Sequence, residues 1–291
     1  MKRTCFYIAL VCLYAVTGCV APTERNYVVV TIEPLRYFAE KIAGNQFTVH
    51  TLVPVGQSPE IYDPTPQQMM RMGRSRAWLQ VGPIGFEQAW MQRIRDNNPD
   101  MQVFNLSEGF ALLEEEERET ELHSHHPGGI DPHIWSCIGG ARVLADNTLK
   151  AFLALDRNNE AYYRQNYDSL TAEIDHTESL IRRKLSSLNE RAFVIYHPSL
   201  TYFAHEFGLQ QLCIETDGKE PSPAQLKELV DETKTHRANV VFVQQEFDKK
   251  NAERMAEETH CRLVPINPLN YHWSEELIHI ANALANEPQT D

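Results

Sequence analysis

The sequence predicts an α/β protein of two lobes, each with a parallel sheet flanked by helices. Strand-like and helix-like segments alternate in both halves of the chain, which is typical of parallel α/β architecture. The chain has 291 residues, 42% of them hydrophobic, which is enough for two modest cores. A long stretch with apolar residues at helical spacing separates the halves and predicts a helix that links the lobes.

The N-terminal half opens with a β-branched run at 27–32, a composition typical of a strand buried on both faces of a parallel sheet. Thr65 followed by Pro66 predicts a helix start, because a capping hydroxyl there precedes proline at the first helical position. The other predicted elements are a helix at 34–43, a strand at 47–53, a helix at 67–73, a strand at 77–81, a helix at 86–95 and a strand at 102–104.

Residues 114–126 interrupt this alternation. The segment combines a run of glutamates with His123, His125 and His126, and so few apolar residues predict a mobile loop. Helices follow at 141–155 and 160–188. The predicted organisation is an N-terminal lobe at 27–158, a linking helix at 159–188 and a C-terminal lobe at 189–291.

The C-terminal half repeats the strand and helix alternation. Its predicted strands lie at 193–196, 212–215, 240–244 and 262–266. One predicted helix ends at 207, and three others span 223–236, 249–259 and 274–285. The two halves are therefore expected to have similar architecture.

The first 18 residues read as a signal peptide, because two basic residues and an apolar run at 6–16 precede small residues and Cys19. The apolar run is too short to span a membrane as a helix. The letters Val-Thr-Gly-Cys that end at Cys19 resemble the bacterial lipobox. This resemblance implies a mature chain lipidated at Cys19, with a short tether at 19–26, anchored to the membrane and facing the periplasm or cell exterior. The alternative is an ordinary cleaved signal with an incidental cysteine.

The net charge and the cysteines limit the partners and the types of metal or redox site that the chain can have. The chain has 27 Lys and Arg against 40 Asp and Glu, and its net charge of -13 favours cations and excludes nucleic acid as a partner. Beyond the predicted tether only Cys137, Cys213 and Cys261 remain, so Cys213 and Cys261 either pair or stay as thiols. No CxxC pair is present, which argues against a zinc finger or a thioredoxin-type site.

Three candidate metal ligands lie in loops that the predicted fold brings together. Glu60 follows the strand at 47–53, His197 follows the strand at 193–196, and His133 lies just after the acidic loop. Ligands of open α/β sheets bind outside the carboxyl ends of the strands, so these residues are expected to meet in one cleft. Two histidines with a carboxylate suit zinc, and added oxygen ligands suit manganese.

Two further residues are expected to lie at this metal site. Asp131 is expected to accept a hydrogen bond from the imidazole of His133 and so orient it. Asn267 comes directly after the last predicted strand, where it is either a fourth ligand, a residue that holds a water molecule, or only a turn residue.

These motifs make the chain similar to a known family. The sequence contains Ser-Pro-Glu-Ile-Tyr-Asp-Pro-Thr-Pro around Glu60, Asp-Pro-His-Ile-Trp around His133, Tyr-His-Pro around His197, Phe-Val-Gln-Gln-Glu-Phe at 242–247 and Asn-Pro-Leu from Asn267. In this order they resemble the zinc/manganese solute-binding proteins of bacterial ABC transporters, and the zinc-type members in particular. The likeness covers essentially the whole mature chain.

The resemblance implies two Rossmann-like lobes joined by one long rigid helix, with one metal ion in the interlobe cleft. It assigns His133 and His197 as the second and third ligands. Glu60 stands where the family usually has the first histidine, and Asn267 stands where it usually has an aspartate. The loop with His123, His125 and His126 resembles the family's zinc-gathering loop, although a solvated charged loop remains the alternative.

The resemblance also implies a monomer that binds zinc, or alternatively manganese, and works with a membrane permease and its ATPase. The sequence leaves two other functions to compare with this one. A metal-dependent hydrolase is disfavoured, because His205-Glu206 does not continue into HExxH and the chain lacks a Gly-x-Ser-x-Gly elbow. A surface adhesin lipoprotein remains as an alternative.

Overall fold

The structure is a computed structural model that describes residues 26–114, 129–215 and 219–286. The predicted signal peptide, the predicted lipidation site Cys19 and the loop histidines His123, His125 and His126 lie outside these residues. Within the described ranges, no helix combines the length and the apolar character needed to cross a membrane.

The N-terminal lobe is built on a parallel sheet of four strands in the order β2-β1-β3-β4. The strands are β1 Tyr27–Val30, β2 Thr48–Thr51, β3 Ala77–Gln80 and β4 Gln102–Asn105, and the intervening helices are α1 Glu33–Ala43, α2 Pro66–Met72 and α3 Gly85–Asn97. Every residue of β1 is buried, as its β-branched composition predicted. Thr65 forms a capping box with Gln68, which confirms the predicted start of α2.

Two helices connect this sheet to the second one. Short 3-10 turns at Ile134–Ser136 and Arg157–Asn159 precede α4 Ile138–Leu155 and α5 Glu160–Leu185 respectively. The 26 residues of α5 correspond to a length of about 39 Å. The long helix between the lobes is therefore confirmed, with its end at Leu185; the exact lobe boundaries remain a prediction.

The C-terminal sheet has the same strand order, β6-β5-β7-β8, and all its strands are parallel. The strands are β5 Ala192–Ile195, β6 Gln210–Cys213, β7 Val240–Gln244 and β8 Arg262–Ile266, and the helices are α6 Thr201–Phe207, α7 Pro223–Thr235, α8 Lys250–Thr259 and α9 Trp273–Leu284. The predicted fold class of two parallel α/β lobes is confirmed.

This strand order decides between the two alternatives for the cysteines. Cys213 ends β6 and Cys261 precedes β8, and two strands separate them. Three strand spacings amount to about 14 Å, whereas a disulfide requires Cα atoms within about 7 Å. A disulfide between Cys213 and Cys261 is excluded.

The two lobes share much of their apolar core. The largest cluster of buried side chains extends from the N-terminal sheet through α4 and α5 to the inner face of the C-terminal lobe, and a smaller one covers that lobe's other face. The long helix α5 packs against α1, α4 and α9. Continuous packing of this kind favours a stiff arrangement of the lobes.

Glu87 fills the crevice where the strand order reverses in the N-terminal sheet. Its carboxylate accepts hydrogen bonds from the Thr31 hydroxyl, from the Val81 amide at 2.8 Å and from the Gly82 amide at 2.5 Å. Such a crevice is the usual ligand position of an open α/β sheet, and here a side chain closes it. Burial raises the pKa of Glu87 to about 7, although the hydrogen bonds from Thr31, Val81 and Gly82 act in the opposite direction.

Glu87→Gln should flatten the pH dependence of stability. Because the folded-state pKa of about 7 exceeds the ordinary value of 4.5, the folded protein binds this proton more tightly than the unfolded chain. The contribution of Glu87 is therefore complete below pH 4.5 and is lost as the pH rises through 7. We expect the wild type to lose about 3 kcal/mol of unfolding free energy from this group across that window, measured by urea denaturation of metal-free protein.

The matched control for this experiment is Glu108→Gln, which changes an exposed glutamate of the same lobe. Its pH profile should follow that of the wild type. Parallel profiles for wild type and Glu87→Gln would contradict the proposed titration of Glu87.

Candidate metal centre

Three predicted ligands meet between the lobes. Glu60 Oε1 lies 3.0 Å from His197 Nε2 and 3.6 Å from His133 Nε2, and the three candidate ligand atoms all lie within 4.8 Å of one another. Neighbouring ligand atoms of a tetrahedral zinc ion are separated by about 3.3 Å, so the two shorter distances match such a site closely. Among the described residues, this is the cluster of histidine and carboxylate groups with metal-binding geometry.

Glu60 lies in a loop held against the N-terminal lobe. The Phe86 amide donates to the Pro59 carbonyl at 3.3 Å. A Cβ atom on Gly85 would lie only 2.6 Å from the Glu60 carbonyl oxygen, so glycine is required for this close approach. Because 32% of the Glu60 side chain is exposed, against 8% for His133 and 13% for His197, the cluster opens to solvent on the Glu60 side.

His133 is oriented by Asp131, as the sequence predicted. Asp131 Oδ1 accepts the backbone amide of His133 at 2.8 Å and lies 2.9 Å from its Nδ1. Burial raises the pKa of Asp131, but the charge and hydrogen bonds of His133 outweigh burial and leave it below its usual value. With Nδ1 engaged by a carboxylate, Nε2 is the atom directed at Glu60.

His197 follows β5 by two residues and contacts a partner that sequence analysis missed. Its Nδ1 lies 3.1 Å from Glu215 Oε2, and its ring stacks on Phe247 with centroids 5.1 Å apart. Burial lowers the pKa of His197, but hydrogen bonds and charges of Glu215 and Glu60 outweigh burial and raise it to about 10. An ion that binds Nε2 therefore displaces a proton.

The segment that carries His133 is hydrogen-bonded to the C-terminal lobe at both ends and in its middle. The Tyr202 hydroxyl donates to the Asp131 carbonyl at 2.8 Å. Trp135 Nε1 donates to the Pro268 carbonyl at 2.9 Å, and Trp273 Nε1 donates to the Trp135 carbonyl at 2.6 Å. Two backbone amides at the start of α4 donate to the carboxylate of Glu206 in the C-terminal lobe. These bonds fix the position of His133 relative to the lobe that carries His197.

Asn267 lies directly after β8, where the sequence placed it. Its side-chain oxygen accepts the Leu269 amide at 3.1 Å, and its carbonyl accepts the Asn270 amide at 2.8 Å. Both bonds stabilise a turn, which is one of the three roles expected for this residue. Its role as a ligand remains a prediction.

Two parallel α/β lobes with a histidine and carboxylate cluster between them define a metal-binding protein of the two-lobed solute-binding class. The chain belongs to the family described as ZnuA, zinc-uptake complex component A periplasmic, whose model matches residues 28–285. The members are transporter substrate-binding proteins and not enzymes, which confirms the resemblance found in the sequence.

Individual relatives agree with this membership. The chain is 27% identical over 285 residues to the high-affinity zinc uptake system protein ZnuA of Bacillus subtilis, covering 94% of this chain and 88% of that protein. It is 24% identical over 248 residues to the manganese ABC transporter substrate-binding lipoprotein PsaA of Streptococcus anginosus, covering 81% and 78%. A crystal structure of ZnuA matches with a TM-score of 0.83 and 32% identity over 91% of this chain and 99% of that one.

Trp273→Phe should destabilise the protein and displace His133. The variant keeps an aromatic ring at a position only 2% exposed but removes the donor to the Trp135 carbonyl. Loss of a buried hydrogen-bond partner costs about 1–3 kcal/mol, so we expect a decrease of that size in the unfolding free energy, measured by urea denaturation. Trp90→Phe, at a partly exposed site, is the control and should change little. Equal stability of the two variants would rule out a structural role for this bond.

Proposed function

We propose that this protein is the extracytoplasmic solute-binding component of an ABC transporter, which captures a divalent metal ion, zinc in the first place, and delivers it to a membrane permease driven by an ATPase. The supporting observation is the convergence of Glu60 Oε1 with the Nε2 atoms of His133 and His197. In this proposal the ion is cargo, and these three side chains are its ligands. The protein works as a monomer.

Zinc is the first candidate because two imidazoles in a site of low coordination are typical zinc ligands. The zinc-named relative in Bacillus subtilis supports this choice. Manganese is the second candidate, because a carboxylate replaces the first histidine and oxygen donors suit manganese. The manganese-named relative in Streptococcus anginosus supports that alternative. Either Asn267, after a change of its turn, or a water molecule completes the coordination.

We also propose roles for residues at the N-terminus and in the acidic loop. Several relatives are named as lipoproteins, which supports lipidation at Cys19 after removal of residues 1–18 and an anchored, extracytoplasmic location. His123, His125 and His126 would gather zinc for the cleft. Glu114 and Ile130, which flank the part of this loop outside the described residues, form an isolated bridge, and Ile130 lies three residues before His133 in the chain.

Competitive metal titration of the mature protein tests the proposal. We expect one tight zinc equivalent, and a loss of affinity of more than about 100-fold in a variant with both His133→Ala and His197→Ala, because two of three ligands are removed. Glu60→His should raise the ratio of zinc to manganese affinity by about tenfold or more, because imidazole is the softer donor.

The matched control is a variant with His50→Ala and His236→Ala, which removes two exposed histidines, one from each lobe. It should bind like the wild type. A tight zinc equivalent that survives the loss of His133 and His197 would overturn the proposed site, and tighter binding of manganese than zinc by the wild type would replace zinc by manganese as the cargo.

A further inference from the structure

The ring of His197 contacts three side chains besides Glu60. Glu215 engages its Nδ1, Phe247 stacks on one face, and the His133 ring lies at 70° to it with centroids 5.1 Å apart. The remaining ring nitrogen, Nε2, faces Glu60. Among these neighbours, Glu215 contacts Nδ1, the ring nitrogen that faces away from the cleft.

The backbone places Glu215 beside His197. Strands β5 and β6 pair in register up to Ile195 and Cys213. The pairing continues past the strand ends, because the Ile214 amide donates to the Ile195 carbonyl and the Glu215 amide donates to the Tyr196 carbonyl, both at 2.9 Å. Glu215 is therefore fixed one strand spacing from the segment of His197, and its side chain is only 9% exposed.

A carboxylate at Nδ1 decides what an imidazole offers to a metal ion. A neutral histidine carries one N–H, and an acceptor at Nδ1 holds the hydrogen there and leaves the lone pair on Nε2. It also prevents a 180° flip of the ring, which would direct a C–H group at the cleft. Asp131 acts in this way on His133, with Oδ1 at 2.9 Å from Nδ1.

We infer that Glu215 is a positioning residue of the metal site, which accepts the Nδ1 hydrogen of His197 and directs Nε2 at the ion. This inference rests on the proposed function of His197 as a ligand. It makes the site a pair of carboxylate–imidazole units, Asp131 with His133 and Glu215 with His197, joined by Glu60 on the cleft side.

Two substitutions distinguish the role of Glu215 as a hydrogen-bond acceptor from the role of its negative charge. Glu215→Ala removes both, and zinc affinity should fall about 10–100-fold, as is typical for loss of a group that orients a metal-bound histidine. Glu215→Gln keeps an oxygen that accepts the Nδ1 hydrogen, and its affinity should lie nearer to that of the wild type. Glu220→Gln, which neutralises an exposed carboxylate of the same segment, should bind zinc like the wild type.

Two additional readouts distinguish positioning from a merely structural role. In ¹⁵N NMR spectra of the zinc-bound protein, His197 should carry its hydrogen on Nδ1 in the wild type and in Glu215→Gln, and should lose this hydrogen-bonded signal in Glu215→Ala. In a double-mutant cycle, Glu215→Ala should leave the residual zinc affinity of His197→Ala unchanged, because Glu215 acts through that ring.

Each result decides the inference. Wild-type zinc affinity in Glu215→Ala would overturn it while leaving the proposed function intact. Equal losses from Glu215→Ala in the wild-type and His197→Ala backgrounds would show that the carboxylate acts through its charge, which also overturns it. Absence of zinc binding by the wild type itself would overturn the proposed function and this inference together.

Discussion

The hydrogen bonds between the segment of His133 and the C-terminal lobe hold the two halves of the site together. Trp135 both donates to the Pro268 carbonyl and accepts from Trp273, and the Tyr202 hydroxyl holds the Asp131 carbonyl. The residues Asp131, Trp135, Tyr202 and Trp273 are buried, so separating the lobes would leave buried donors and acceptors without partners at a cost of about 1–3 kcal/mol each. The shared apolar core adds to this cost, and the lobes are thereby kept close to one relative orientation.

Because these hydrogen bonds join the lobes, the site has a fixed part, formed by the two histidines, and a more accessible part, formed by Glu60. The imidazoles of His133 and His197 are both tied to the C-terminal lobe, directly or through Asp131, and both are largely buried. Glu60 comes from a loop of the other lobe and is the most exposed of the three candidate ligands. Entry and release of the ion on the Glu60 side would therefore need little movement of the histidines.

Carboxylates outnumber imidazoles at this site. Glu60, Asp131 and Glu215 surround two histidines, and burial makes their charges act strongly on each other. Without an ion, a proton on His197 offsets part of this charge, as its raised pKa of about 10 indicates. A divalent cation is well matched to such a surplus of negative charge, and an anion is not.

Much of this arrangement was predictable from sequence because it depends on local patterns. Alternating strands and helices, the cap at Thr65, the positions of Glu60 and His197 after strands and that of His133 after the acidic loop all follow from short segments. Glu215 was assigned to a strand, and its contact with His197 depends on the register between β5 and β6. The bonds of Tyr202, Glu206 and Trp273 likewise join residues far apart in the chain, which periodicity and spacing do not report.

The central claim is that one ion is held jointly by the two lobes, and a crystal structure of the zinc-loaded mature protein with anomalous data at the zinc edge tests it directly. The account predicts one dominant anomalous peak bonded to Glu60 and to the Nε2 atoms of His133 and His197, with Nδ1 of each histidine still facing Asp131 or Glu215. A dominant peak elsewhere, or a zinc ion bound by His133 and His197 through Nδ1, would contradict it.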